Sequence, residues 1–354
     1  MNQRSSVEGK KLLLMGGIQQ ACEIITLARS MGVETFVTDY LEDSPAKRIA
    51  DHSFMVDATD VDGLVNLCRE QQIDGVFTGY VDMLLPYCQQ VCERLGLPFW
   101  GNAENINMCI NKEQFKEACE ASGVPVVPWK KANRENYQTI LETVSLPVVV
   151  KPADNSGSRG VYKCYAREEL KASAQKALEL SRSGEILIEK LMDADSEFSL
   201  YYMIRDGRAV LTAMGDRYVN TRHKEIAPIG QGMLYPSAHL QEWMETGDPL
   251  VKRFFEQNQM KDGFVFLQGF YENGFYLHEI GYRLNGGFTY RIVEHFSHYH
   301  QLKELITYSL TGTMSEDNEA CDTPAFDGYG MIVTVSLYPG LKRINVCYTI
   351  IRGC

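Results

Sequence analysis

Two hydrophobic rhythms alternate along the first hundred residues. Short apolar runs (KLLLMGG from Lys11, VETFVTDY from Val33, IDGVFTG from Ile73) are separated by stretches where apolar residues recur every three or four positions. The pattern predicts strand, then a helix over QQACEIITLARSMG that closes on Gly32, then strand, a helix near Asp60 to Gln71, and strand. Such alternation implies parallel strands joined by crossover helices, an open Rossmann-like α/β layout. Gly16 and Gly17 follow the first strand and Asp39 ends the second, which invites a dinucleotide-binding reading. No G-x-G-x-x-G accompanies them, so tight-turn glycines are the preferred interpretation.

From Gly101 onward the pattern changes. Asn111 reads as an N-cap with Gln114 at N3, Phe115, Ala118 and Cys119 supply an apolar face, and Gly123 stops the helix. Lys112 falls in the first turn, where the helix dipole makes a cation unfavourable by ~0.3–1 kcal/mol. A nearby anion would remove that penalty; a solvated lysine would simply tolerate it. The stretch LPVVVKPADNSGSRGV (146–161) ends an apolar strand on Lys151 and continues into small and polar residues, followed by the strand VYKCYA and a helix over AREELKASAQKALELSRSG. A glycine-rich loop between two strands is not a Walker A loop, which leads into a helix. It is either an ordinary surface turn or a hairpin that folds over phosphates. EILIEKLMDADSEFSLYYMI, the turn Arg205 to Gly207 and RAVLTAMGDRYV predict antiparallel strands, and NTRHKEIAPIGQGMLYPS (220–237) predicts a long loop.

The segment FVFLQGFYENGFYLHEIGYRLNGG (264–287) carries Asn273-Gly274, the signal of a two-residue type I′ hairpin turn. That register pairs Tyr271 with Tyr276, Phe270 with Leu277 and Gln268 with Glu279. An amide and a carboxylate then sit in a row otherwise made of Phe264, Phe266, Phe270, Phe275 and Leu277, which is costly unless each finds partners. A hard cation such as Mg²⁺ satisfies both. A salt bridge between Glu279 and Arg283 is the other solution, and the pattern leaves the two open.

Size and charge narrow the functional classes. A chain of 354 residues suggests two or three domains. With a net charge of −11 and a pI near 5.2, the chain has no general attraction for nucleic acid or an anionic membrane, so any bound phosphate must be gathered by a few local cations. No segment has the length of a signal h-region or a membrane span, and a cytoplasmic protein is expected. Ten scattered cysteines lack paired metal spacing and read as reduced, partly buried thiols. The last forty residues begin as a polar linker and continue into two strand-like runs, either a shortened end or an edge strand open to a partner such as a second copy.

Taken in order, Lys112, Lys151 with its Ser-Gly-Ser-Arg-Gly loop, Glu189-Lys190-Leu191-Met192, Glu197, and Glu279 with Arg283 resemble the ATP-grasp superfamily. The likeness is greatest to the branch holding carbamoyl-phosphate synthase large chain, biotin carboxylase and amino-acid ligases, and spans roughly residues 10 to 312. It implies a Rossmann-like domain over 1–105, an ATP-grasp domain of two clamping subdomains over 106–312, and a short C-terminal segment over 313–354. Lys112 and Lys151 would contact nucleotide phosphates, and Ser156, Gly157, Ser158 and Gly160 would belong to the loop closing over them. Glu189 would receive the adenine amino group beside the backbone of Lys190 and Leu191, and Glu197 the ribose hydroxyls. Glu279 would hold Mg²⁺ and Arg283 would stabilise the reacting group.

Two positions depart from the superfamily pattern: Gln268 stands where many members carry a second acidic metal ligand, and Gly281 where they carry Asn. Asn285 is a candidate substitute ligand. The implied reaction activates a substrate carboxylate with ATP as an acyl phosphate, which an amine or other nucleophile then attacks. Arg217 and Arg291 are the expected substrate-binding cations, with Arg222, His223, Lys224 and Glu225 beside them. The alternative is a nucleotide-binding regulatory protein without ligase activity; an NAD-dependent enzyme using the first domain is the third reading.

Overall fold

The computed structural model describes residues 7–154, 160–220, 229–314, 324–334 and 348–351. Near the N-terminus, strands β1 (Lys11–Met15), β2 (Glu34–Thr38), β3 (His52–Phe54) and β4 (Gly75–Phe77) form a parallel sheet in the order β3-β2-β1-β4. Central parallel strands are covered on both faces, which explains why β1 is an apolar run without polar alternation. Leu12 and Leu14 join the core that holds Ile24 and Ile25 of the helix Ala21–Ser30 and Leu302, Leu305 and Ile306 of the helix Gln301–Thr311. Leu13 and Met15 face the other way, against Leu64, Cys68, Cys88 and Cys92 of the helices Val61–Gln71 and Leu85–Leu95.

The glycines after β1 build a turn with Asp39. Gly16 has φ +91°, and the Gly17 N–H donates to Asp39 Oδ2 at 2.6 Å while the Leu41 N–H donates to Oδ1 at 2.8 Å. A Cβ on Gly17 would lie 2.0 Å from Ser44 Oγ. Both features that suggested a dinucleotide site are thus occupied with each other, in line with the tight-turn interpretation.

Strands β5 (Trp129–Asn133), β6 (Val148–Pro152), β7 (Tyr162–Cys164) and β8 (Glu185–Lys190) make an antiparallel sheet in the order β5-β8-β6-β7. The β6–β7 pairing, Val148 with Cys164 and Val150 with Tyr162, makes the glycine loop a hairpin connection as its sequence suggests. Strands β9 (Glu197–Arg205), β10 (Arg208–Asn220), β11 (Ile229–Tyr235), β12 (Gly263–Tyr271), β13 (Phe275–Gly281), β14 (Tyr329–Val333) and β15 (Tyr348–Ile351) form the large sheet in the order β13-β12-β9-β10-β11-β14-β15.

Two expectations are corrected here. Much of the predicted loop 220–237 is β11, which pairs with β10 and β14; its glycines at 230 and 232 hide the alternation that marks a strand. The β12–β13 turn holds three residues, so Tyr271 pairs with Phe275 and Phe270 with Tyr276. A bulge between Gln268 and Gly269 then restores the expected pairing of Gln268 with Glu279, leaving His278 as the extra residue.

The three sheets are fastened across their boundaries. Trp100 Nε1 donates to the Tyr282 carbonyl at 3.0 Å and Tyr282 Oη returns a bond to the Trp100 carbonyl at 3.1 Å. The segment leading into β5 runs along β13, with the Leu277 N–H on Pro125 O at 3.0 Å and the Val127 N–H on Leu277 O at 2.9 Å. No helix among the described residues is long and apolar enough to cross a membrane.

At Gly75 a Cβ would meet the Ser309 carbonyl oxygen at 2.2 Å. That oxygen belongs to a helix backbone and cannot swing aside. Gly75→Ala is therefore expected to cost ~1–3 kcal/mol of stability, read as a lower midpoint in urea unfolding with no change in helix content beforehand; an unchanged midpoint would refute the contact.

Candidate functional site

The small sheet and the helix Lys112–Ala121 together place four charged groups in one spot. Asn111 caps that helix through its side-chain oxygen, which accepts from the Glu113 and Gln114 N–H groups at 3.0 and 3.1 Å, and this sets Lys112 in the first turn. Lys116, one turn later, is fully buried. In the antiparallel register Lys151 opposes Leu187 and Val149 opposes Glu189, so Lys151 and Glu189 are diagonal neighbours on one face.

Lys151 Nζ lies 2.7 Å from Glu189 Oε2 and Lys116 Nζ lies 3.2 Å from Oε1. Burial alone would raise the Glu189 carboxyl, but the two ammonium groups outweigh it and hold its pKa at about 2. Burial and the neighbouring Lys151 cation push the Lys112 amine down, opposed by Glu279, Glu189 and Asp154. Lys112 thus lies within electrostatic reach of Lys151, Glu189 and Glu279. Glu189 Oε1 is buried and accepts no aligned hydrogen bond among the described residues.

Across the cleft, the large sheet supplies the second half. Glu197 on β9 pairs with Arg217 on β10, and His278 Nε2 stands 3.9 Å from Glu197 Oε1. Burial pushes the Glu197 carboxyl up, and His278 and Arg217 together pull it below the ordinary range. Gln268 Nε2 reaches Ser199 Oγ at 3.4 Å, leaving its amide oxygen available beside Glu279.

Arg283 does not turn to Glu279. Its Nε donates to Asp82 Oδ1 at 2.7 Å, its Nη2 to Asp82 Oδ2, and its Nη1 to the Leu284 carbonyl at 2.9 Å. Its guanidinium carbon lies 4.8 Å from the centre of the Phe266 ring. Phe266 also explains the glycine at 281, because a Cβ there would lie 2.1 Å from the ring. The ring fills the space a side chain at 281 would need and carries the arginine instead. Asn285 Nδ2 donates to Tyr201 Oη at 2.9 Å.

The remaining candidates fall in different places. Arg291 Nη2 bonds Glu23 Oε1 at 2.8 Å, which ties it to the helix Ala21–Ser30, where Tyr290 Oη also reaches Glu23 at 2.6 Å. The Lys190 and Leu191 N–H groups donate to Pro128 O and Pro147 O at 2.9 and 3.1 Å, so both donors are engaged within the protein. Gly160 has φ +78°, and Ser156, Gly157, Ser158, Arg222, His223, Lys224 and Glu225 lie outside the described residues.

Sequence reasoning missed Lys116, His278, Asp82 and Phe266. Lys116 was legible as a lysine at i+4 from Lys112, next to Phe115 on the apolar face. Asp82 was legible by position, since open α/β sheets present ligand groups just beyond the carboxyl ends of their strands and Asp82 follows β4. His278 depends on a bulge that no local signal announces.

The donors fit a particular metal. Among the described residues no group of three or more His, Cys, Asp or Glu is arranged to hold an ion unaided. One carboxylate, Glu279, opposite one amide, Gln268, suits Mg²⁺ that arrives largely coordinated by phosphate oxygens and water.

The buried Lys116–Glu189–Lys151 cluster has a stability signature. Glu189 is depressed from 4.5 to about 2, so its contribution is complete above pH ~4.5 and is lost as pH falls toward 2. Glu189→Gln leaves two buried cations uncompensated, a loss of ~3–5 kcal/mol at neutral pH. The melting-temperature gap between the variant and the wild type should be wide at pH 7 and shrink between pH 4.5 and 2.5; a gap independent of pH would count against the cluster.

With this geometry established, likeness to known proteins is informative. Residues 118–214 match the family model "D-ala D-ala ligase C-terminus". The chain is 28% identical over 200 residues to the formate-dependent phosphoribosylglycinamide formyltransferase of Haloquadratum walsbyi, covering 53% of this chain and 48% of that protein. The corresponding protein of Sulfurisphaera tokodaii is 26% identical over 208 residues, covering 57% and 52%. The chain spans about half the length of the curated relatives it matches. Among solved structures, the L-amino acid ligase of Bacillus licheniformis superposes with TM-score 0.77 at 17% identity, over 94% of this chain and 81% of that one. The biotin carboxylase domain of Hydrogenobacter thermophilus 2-oxoglutarate carboxylase, solved with MgADP and bicarbonate, superposes with TM-score 0.77 at 19% identity, over 92% and 74%. A parallel N-terminal sheet followed by two antiparallel sheets, in a chain that superposes on these enzymes over nine-tenths of its length, is the ATP-grasp fold.

Proposed function

We propose that this chain is an ATP-dependent ligase that activates a small carboxylic acid as an acyl phosphate for attack by an amine or another nucleophile in the cytoplasm. The observation that carries the reading is the meeting of Lys112, Lys151, Glu189 and Glu279 in one cleft, from both antiparallel sheets and the helix between them. A nucleotide binder needs the lysines and the adenine acceptor. It has no need of an arginine braced as firmly as Arg283, which favours group transfer over binding alone.

In this reading Glu189 Oε1 receives the adenine amino group, Glu197 faces the ribose, and Lys112 and Lys151 lie along the phosphates. Glu279 and Gln268 would hold Mg²⁺, which when bound would neutralise phosphate charge. The substrate carboxylate attacks the γ-phosphorus and ADP leaves; the amine then attacks the acyl carbon, phosphate departs, and the amine proton is lost. Such chemistry asks the protein mainly for positioning and charge cancellation. Arg283 is aimed by Asp82 and Phe266 at the reacting end. Arg291 and Arg217 are assigned to the substrates, Arg291 on the side facing the N-terminal sheet.

Trapping with hydroxylamine tests this. Incubated with Mg²⁺, ATP and pools of carboxylic acids, the protein should yield hydroxamate together with ADP and phosphate. Tight ADP binding with no turnover in any pool would replace the ligase with the binder. Lys151→Ala should weaken ADP binding by at least tenfold, measured by calorimetry, and unchanged binding would remove Lys151 from the site. Asp82→Asn should leave ADP affinity within twofold while lowering hydroxamate formation at least tenfold, since one charged partner of Arg283 is lost; equal loss of both would mean that Asp82 only supports the fold.

A further inference from the structure

The β12–β13 bulge has a chemical consequence. It pairs Leu277 with Gly269 and Glu279 with Gln268, so His278 is inserted without a cross-strand partner. Leu277 and Ile280 are buried, whereas His278 and Glu279 between them are both partly open. Two consecutive polar side chains therefore meet the cleft where a regular strand would offer one.

The His278 ring has an aromatic neighbour, but its Nε2 has no hydrogen-bond partner among the described residues. The ring packs on Phe270 with centroids 5.0 Å apart, and Nε2 is buried yet makes no hydrogen bond among the described residues. Its nearest acceptor, Glu197 Oε1, is 3.9 Å away, too far for a direct bond. A hydroxyl oxygen placed about 2.8 Å from each would close the gap with hydrogen-bond distances on both sides. Glu197 is in turn fixed by Arg217. A buried nitrogen and a buried carboxylate oxygen are thus spaced for one shared hydroxyl.

We infer that His278, together with Glu197, grips a ribose hydroxyl of the nucleotide, making it a binding residue created by the bulge. This rests on the cleft being the nucleotide site. The hydroxyl donates to Glu197 and hydrogen-bonds His278 Nε2, so the pair reads the presence of the hydroxyl and not the base. A ribonucleotide is selected over its deoxy forms, and the carboxylate and amine substrates are not involved.

Calorimetric titration with ADP, 2′-deoxy-ADP and 3′-deoxy-ADP tests the assignment. The wild type should bind ADP about five- to tenfold more tightly than at least one deoxy form. His278→Phe keeps the ring stack but should lose that preference, with ADP weakened to the level of the deoxy nucleotide. His278→Gln, which restores an N–H at similar reach, should recover part of it. Equal wild-type affinity for all three nucleotides overturns the proposal, as does a His278→Phe variant that retains the preference or weakens all three equally. If the wild type binds no ADP at all, the nucleotide site itself falls, and this inference with it; binding without discrimination removes His278 alone.

Discussion

The structure depends on one buried carboxylate shared by two lysines. Glu189 sits between Lys116 and Lys151 on adjoining elements, and both flanking cations are themselves almost wholly withdrawn from water. Isolated, any of the three would be strongly destabilising. Together they join β6, β8 and the helix Lys112–Ala121 electrostatically. Similar exchanges recur across the cleft, Arg217 with Glu197 and Arg283 with Asp82. An acidic chain thus keeps a group of cations at one place by giving most of them an internal anion. On the proposed reading, an incoming triphosphate takes over some of those partners, so the cations need no long-range field to be assembled beforehand.

Much of this was legible in the residues, for reasons that differ from place to place. The parallel sheet was readable because its central strands are apolar on both faces, and Lys112 because Asn111 marks the helix start unambiguously. The pairing of Gln268 with Glu279 was also anticipated, although by a register that fails at the turn. The actual connection is one residue longer, and the bulge at His278, four residues past the turn, restores phase, two departures that cancel. Strand β11 escaped notice because glycines replace the side chains that would have shown its alternation.

What the sequence could not convey is partnership across long separations. The carboxylate that braces Arg283 lies 201 positions away, whereas the pattern offered Glu279, four residues distant, as one of two open solutions. Local spacing favours such near partners, whereas the fold chose the far one by bringing the segment after β4 against the segment after β13. Arg291 and Glu23, separated by 268 positions, make the same point. Side chains such as these become interpretable only when the N-terminal sheet is docked, which Trp100 and Tyr282 achieve through reciprocal hydrogen bonds.

The two departures from the superfamily pattern then have different physical standing. Gly281 is explained within the chain: the Phe266 ring occupies its Cβ space and supports the guanidinium of Arg283, so an asparagine there would displace the platform beneath the arginine. Gln268 has no such steric cause. It removes one negative charge from the region shared by Glu279 and Asp82, where burial already pushes the Asp82 carboxyl up and Glu279 adds to that push. A second metal-facing carboxylate would add to the same repulsion. An amide at this position spares the Asp82–Arg283 pair that added charge.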